Sequence, residues 1–326
     1  MNSPIACQVV FLDAGTLPCS LPFARHLNAE QLAHLDYQAY ERTDAAEVPA
    51  RIAQADIIIV NKVRLNADLM AQATKLKRIC IAAAGTDNVD LQAARDLGIS
   101  VHNVPDYGSD SVAEHVVTVL LALRRHLMDY SRAAVDGRWS ASPHFGWHGP
   151  RIKPVGGSTL GIVGRGRIGQ ATARLAQGLG MQVLFAQRPG REAAADEREL
   201  DALLAACDAI SLHVPLTPDT RGLIDARRLR LMKPDALLIN TGRGALVDAP
   251  ALVDALTAHR LAGAAIDVLD VEPPQPDHPL LAPGIPNLLL TPHAAWASES
   301  AQQRLASRLA ELVAEHMAQT SAPGKE

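Results

Sequence analysis

Short aliphatic runs alternate with segments of helical periodicity along almost the whole of this 326-residue chain. The runs at 8–12, 56–60, 78–83 and 99–103 read as buried strands bounded by turn residues. Between them, 67–73 and 91–97 have helical spacing. Parallel neighbours need a crossover, so this rhythm implies a mostly parallel sheet with helices on both faces. At about 100–200 residues per domain, the length supplies two such units. Hydrophobic residues make up 48% and charged residues 20%, which excludes a disordered or collagen-like polymer.

The second unit begins near Pro105. From 110 to about 137 the chain is apolar-periodic, and Ser109 or Asp110 can cap it, which predicts one long helix. The stretch 138–157, rich in Pro, Gly, Trp and His, has no periodicity and reads as a functional loop or an arm. A strand at 159–163 and a helix at 168–179 follow, then strands at 182–186, 209–213, 236–240, 263–266 and 287–291. After Pro292 comes a last helix at about 298–317, placed so that it can return to pack on the first unit. The expected fold is therefore α/β: two doubly wound parallel-sheet domains, Rossmann-like and flavodoxin-like, with a cleft between them. One comprises 1–104 plus 293–326 and the other 105–292.

Within the second unit, Gly164-Arg165-Gly166-Arg167-Ile168-Gly169 matches G-x-G-x-x-G directly between a strand and a helix. The first glycine permits the turn, the second lets backbone approach a pyrophosphate, and the third lets helix and strand pack closely. An acid about 20 residues on would bind the ribose 2′-OH of NAD. That position instead reads Gln187-Arg188, with Arg191 beyond. Gln187 cannot repel a 2′-phosphate and either arginine could pair with one, which tilts the coenzyme toward NADP(H); solvated loop charges are the plainer reading of both arginines.

Three later strand ends carry reactive side chains: Asn240-Thr241-Gly242-Arg243, Ile266-Asp267 running on to Glu272, and Thr291-Pro292-His293. Ligands of doubly wound sheets bind outside the carboxyl ends of the strands, so these groups can converge. With these segments in view, the chain resembles the D-isomer-specific 2-hydroxyacid dehydrogenases, most of all their bacterial glycerate dehydrogenase or hydroxypyruvate reductase branch. The likeness also rests on Ala83-Ala84-Gly85-Thr86-Asp87, on Val104-Pro105-Asp106-Tyr107-Gly108, and on His213-Val214-Pro215-Leu216-Thr217 through Thr220.

The chemistry of each residue suits that likeness. His293 is the acid–base candidate, because a carbonyl that receives hydride must gain a proton and only His is poised near neutral pH. Glu272 would bond the second imidazole nitrogen, and Arg243 offers a planar fork for a carboxylate. The resemblance implies these same three roles, and it places Asp267 on the nicotinamide. It further implies coenzyme contacts from His213, Val214, Pro215, Thr220, Thr241, Gly242 and His293. Backbone N–H groups at Ala84 and Gly85, with Lys62 near them, would bind substrate, making 1–104 plus 293–326 the substrate domain and 105–292 the dinucleotide domain.

Hydroxypyruvate and D-glycerate are the favoured pair, with glyoxylate also open. Formate dehydrogenases share the fold but lack Glu at the position of Glu272. A coenzyme-sensing, corepressor-like binding module is the alternative function. The net charge of −4 and the 3% aromatic content give no nucleic-acid footprint. Met1 to Asp13 has no basic segment leading an apolar core, and no apolar run reaches the ~18 residues of a membrane span, so a cytoplasmic protein is expected. Cys7, Cys19, Cys80 and Cys207 lack paired spacing, and His144 and His148 sit in a Pro- and Gly-broken stretch, so neither disulfide nor metal is expected. Trp139, Phe145 and Trp147, beside the long helix, suggest a homodimer through the 105–150 region.

Overall fold

The computed structural model describes residues 6–188 and 190–321. Its strands are β1 (Cys7–Phe11), β2 (Leu35–Ala39), β3 (Ile57–Val60), β4 (Arg78–Ile81), β5 (Ser100–Asn103), β6 (Thr159–Val163), β7 (Gln182–Ala186), β8 (Glu197–Arg198), β9 (Ala209–Leu212), β10 (Leu237–Asn240), β11 (Gly263–Ile266) and β12 (Leu288–Leu290). The helices are α1 (Ala29–Ala33), α2 (Val48–Ile52), α3 (Ala67–Gln72), α4 (Leu91–Asp96), α5 (Ser109–Arg124), α6 (Leu127–Val135), α7 (Arg167–Gly178), α8 (Leu200–Ala206), α9 (Ala226–Leu231), α10 (Ala249–Thr257) and α11 (Glu299–Ser321).

The chain divides into two compact units, Met1–Gly108 with Ser298–Glu326, and Ser109–Ala297. These divisions fall a few residues C-terminal to the expected 104/105 and 292/293. The first unit holds a parallel sheet of order β2-β1-β3-β4-β5. Ile58, Val60, Ile79 and Ile81 join Val48, Ile52 and Met70 of α2 and α3 in one core. Because strand side chains alternate, Val9, Phe11, Ile57 and Ile59 face the other way. That side is covered by α11, which packs on β4 and buries Leu305, Leu309 and Leu312. The guanidinium of Arg78 at the start of β4 fixes this packing by donating to the Leu312 carbonyl at 2.7 Å.

In the second unit the parallel order is β12-β11-β10-β9-β6-β7-β8, so the winding reverses between β6 and β9. One face packs on α5 and α7 through Val116, Leu120 and Ala176, the other on α8, α9 and α10 through Leu203, Leu229 and Leu252. With both faces covered, the central strands are buried throughout and predominantly apolar, Ser211 and Asn240 being the polar residues within them.

The single helix expected over 110–137 is instead two. The Arg124 carbonyl accepts from Lys153 N–H, the Arg124 side chain donates to the Asp208 carbonyl, and His126 turns left-handed at φ +48°. Those partners come from distant chain, so local periodicity carried no trace of the break. No helix among the described residues is long and apolar enough to cross a membrane.

Candidate active site

β6 runs into the glycine-rich loop and α7 leaves it. Gly164 sits at φ +112°, and a Cβ there would lie 2.4 Å from the His213 carbonyl oxygen. One at Gly169 would lie 2.0 Å from the Gly164 carbonyl oxygen. Both are glycine because backbone meets backbone. Gly166 differs: its backbone is extended at φ −75°, ψ −171°, and a Cβ would meet no described atom within 4 Å. Nothing in the described protein requires glycine there, but an anion seated on the N-terminus of α7 would. No side chain caps that terminus and no acid occupies its first turn. Thr241 Oγ1, just past β10, is buried without a hydrogen-bond partner among the described residues. These features fit a dinucleotide.

Arg165, inside the loop, stacks 4.5 Å over the Phe185 ring and forks onto both oxygens of Asp196 at 2.9 Å, with Glu197 at 3.2 Å. Its guanidinium holds the Asp196 carboxyl below the usual range. Ile168 packs against the core, whereas Arg167 is exposed. Past β7, Gln187 donates its side-chain N–H to the Arg191 carbonyl at 2.6 Å, while Arg188 and Arg191 are exposed. On the other side of the switch point, His213 Nε2 and Ser211 Oγ lie 2.9 Å apart, and burial pushes this imidazole down to about 4, so it is neutral at physiological pH. Val214 lies against Gly164, and Thr220 Oγ1 donates to the Pro215 carbonyl at 2.7 Å, closing the 215–220 turn.

The catalytic candidates lie at the ends of β10, β11 and β12. Asn240, fully buried, donates to the Arg243 carbonyl at 2.9 Å and accepts from Gly242 N–H at 3.1 Å, shaping the turn that presents Arg243. A Cβ at Gly244 would lie 2.0 Å from the Leu269 carbonyl carbon, so the Arg243 turn abuts the 267–272 segment. There Leu269 N–H donates to Glu272 Oε1 at 2.8 Å, and Glu272 Oε2 lies 2.6 Å from His293 Nδ1. A carboxylate only accepts, so Nδ1 carries the proton and Nε2 is left for chemistry. Both side chains are about one-third exposed, His293 at 28% and Glu272 at 31%.

Asp267, expected on the nicotinamide, is 3% exposed, and its carboxylate accepts from Thr291 Oγ1 at 2.5 Å, Ala294 N–H at 2.9 Å and Ala295 N–H at 3.0 Å. It braces the turn that bears His293.

Lys62, Ala84 and Gly85 belong to the first unit, at the carboxyl ends of β3 and β4. Buried Asp13, just past β1, accepts from the N–H groups of Asn61, Lys62 and Val63 at 2.8, 2.6 and 3.1 Å, shaping the loop that presents the exposed Lys62. Asn103 donates to the Ala84 carbonyl at 2.6 Å, and the N–H groups of Ala84 and Gly85 make no hydrogen bond among the described residues.

Sequence reasoning passed over the bracing residues Asp13, Asn240, Ser111 and His115. Their signal is a polar residue set directly against an apolar run: Asp13 after Leu12, Asn240 after Ile239, and Ser111 and His115 one helical turn apart around Val112.

The sequence signature described as "D-isomer specific 2-hydroxyacid dehydrogenase, NAD binding domain" matches residues 117–295. The chain is 41% identical to a glycerate dehydrogenase of Methylorubrum extorquens over 94% of its length and 95% of that protein's. It is similar in structure to an NADPH-dependent glyoxylate/hydroxypyruvate reductase of Sinorhizobium meliloti bound to NADP and malonate, with 29% identity, TM-score 0.78, and 97% and 94% of the two chains covered. A D-lactate dehydrogenase of Aquifex aeolicus bound to NAD and lactic acid aligns with 29% identity and TM-score 0.81 over 95% and 96%.

Proposed function

The chain belongs to the D-isomer-specific 2-hydroxyacid dehydrogenase family, and on that premise we propose that it interconverts a small 2-keto acid and its D-2-hydroxy acid, hydroxypyruvate and D-glycerate foremost and glyoxylate besides. The observation that carries this reading is the 2.6 Å contact between His293 Nδ1 and Glu272 Oε2, on a segment abutting the Arg243 turn.

A bound nicotinamide coenzyme supplies the hydride for the carbonyl carbon. His293, oriented through Nδ1, donates the Nε2 proton to the carbonyl oxygen in reduction and takes it back in oxidation. Glu272 stabilises the imidazolium and, ionised, acts only as its acceptor. Arg243 holds the substrate carboxylate in a fork and polarises the carbonyl; the N–H groups of Ala84 and Gly85, with the charge of Lys62, are the substrate contacts the first unit would offer. Gly164 to Gly169 and the N-terminus of α7 hold the pyrophosphate, with Thr241, Gly242 and the 213–220 segment along the coenzyme.

NADP(H) is the favoured form, because Gln187 bears no charge against a 2′-phosphate and Arg188 and Arg191 are exposed beside it. The relatives of known structure include one bound to NADP and one to NAD, so family membership leaves that choice to these residues. Two copies pair through the 105–150 region, where Val135 is 85% and Phe145 97% exposed.

Steady-state oxidation of NADH and NADPH, run with hydroxypyruvate, glyoxylate and pyruvate, tests the reading. Hydroxypyruvate with NADPH is expected to give the highest kcat/KM, and His293→Gln to lose most turnover while still binding coenzyme. No turnover with any keto acid would leave a coenzyme-binding module instead.

A further inference from the structure

We propose that Ser111 and His115, one turn apart on α5, are positioning residues that set the pose of His293 through the turn that carries it. The kinetic consequence rests on the dehydrogenase reading; the structural one rests on hydrogen bonds alone.

His293 sits at φ +54°, in the left-handed region that a β-carbon disfavours, so surrounding contacts must hold it there. From the β11 side, the Asp267 carbonyl accepts His293 N–H at 2.8 Å while its carboxylate takes Thr291, Ala294 and Ala295. From the opposite side comes α5. Ser111 Oγ donates to the Ala295 carbonyl at 2.8 Å, and His115 Nε2 lies 3.3 Å from Thr291 Oγ1.

The direction of that second bond is fixed. The hydroxyl of Thr291 has a single proton, directed 2.5 Å to an Asp267 oxygen that can only accept. Thr291 Oγ1 therefore accepts, and His115 Nε2–H donates. A relay of donors runs from His115 to Thr291 to Asp267, and the turn is gripped near both ends with His293 between the grips. Val112, Val116 and Val119 supply the apolar packing of α5, so Ser111 and His115 are not needed to fill the core. Polar side chains on such a face are retained only where partners await them. Neither reaches the reacting atoms, so they act by placing the imidazole against Glu272 and the substrate carbonyl.

Three variants test this: His115→Phe, which fills similar space without a donor; His115→Gln, whose amide keeps an N–H near the Nε2 position; and Ser111→Ala, a one-oxygen deletion that keeps the test open should His115→Phe not fold. Turnover is expressed per coenzyme site titrated with NADPH or NADH, so misfolded protein does not count. Displacement of ~1 Å can cost ~100-fold, so His115→Phe and Ser111→Ala are expected to lower kcat about tenfold or more. They should leave coenzyme affinity unchanged, raise the primary deuterium isotope effect, and speed amide exchange at Ala294 and Ala295. His115→Gln should recover most of the loss. Wild-type turnover and wild-type exchange in His115→Phe would overturn the proposal, as would a His115→Gln variant as slow as His115→Phe. Should the wild-type chain reduce no keto acid, the dehydrogenase reading fails, and exchange at the two amides still decides the clamp.

Discussion

A side chain at Gly166 would meet only open space, whereas one at Gly169 would strike the Gly164 carbonyl oxygen at 2.0 Å. Two glycines of one motif thus differ: the fold requires the second, whereas nothing in the described protein requires the first. Gly169→Ala should cost about 3 kcal/mol of stability through overpacking, read by urea unfolding. Gly166→Ala should stay within about 0.5 kcal/mol of wild type. It should nevertheless weaken coenzyme binding about tenfold, a 1.4 kcal/mol effect, by titration of coenzyme fluorescence. Unchanged affinity in Gly166→Ala would remove the pyrophosphate from this loop. The motif was legible in sequence, because three glycines between a strand and a helix have few other uses. The spacing assigned each glycine its own part; what it did not disclose is that the atoms crowding Gly164 belong to His213, just past β9.

At the scale of elements, the proposed preference for NADP(H) rests on the end of β7. Gln187 stands where an acid would bind a ribose 2′-OH, Arg165 is paired with Asp196 and Glu197, and Arg188 and Arg191 are exposed. Gln187→Asp should raise the KM for NADPH about 10- to 100-fold by like-charge repulsion while sparing NADH. A wild-type enzyme with the same kcat/KM for both coenzymes would argue that these arginines are solvated. The strands that build the two sheets were readable wherever burial on both faces made them continuously apolar, as in β3 and β11. Short edge elements were not, because β2 and the two-residue β8 are largely exposed and carry polar residues. The split of the expected long helix into α5 and α6 escaped for a different reason: Lys153 N–H, remote in sequence, takes the Arg124 carbonyl that a continuing helix would use, and the Arg124 side chain is held by the Asp208 carbonyl.

For the molecule as a whole, exposed apolar side chains concentrate on α6 and the loop after it, with Leu127 and Met128 each 55%, Val135 85%, Trp139 51% and Phe145 97% exposed. Trp147 is the exception in that loop: its ring packs edge-on against Tyr130 at 5.2 Å and under Arg138 at 4.8 Å. Light scattering should find a dimer, and the double variant Val135→Glu, Phe145→Glu should shift it to monomer; a monomeric wild type would refute the pairing. The sequence by itself determined the α/β class and singled out the glycine-rich loop and Arg243, Glu272 and His293 as site candidates, since period, glycine spacing and side-chain chemistry are local properties. Only the tertiary structure decided where the α5 helix ends and that Asp267, Ser111 and His115 grip the turn bearing His293. Those outcomes depend on hydrogen bonds between elements apart in the chain, as between Ser111 and Ala295, and no pattern along the chain encodes which partner a buried polar group will meet.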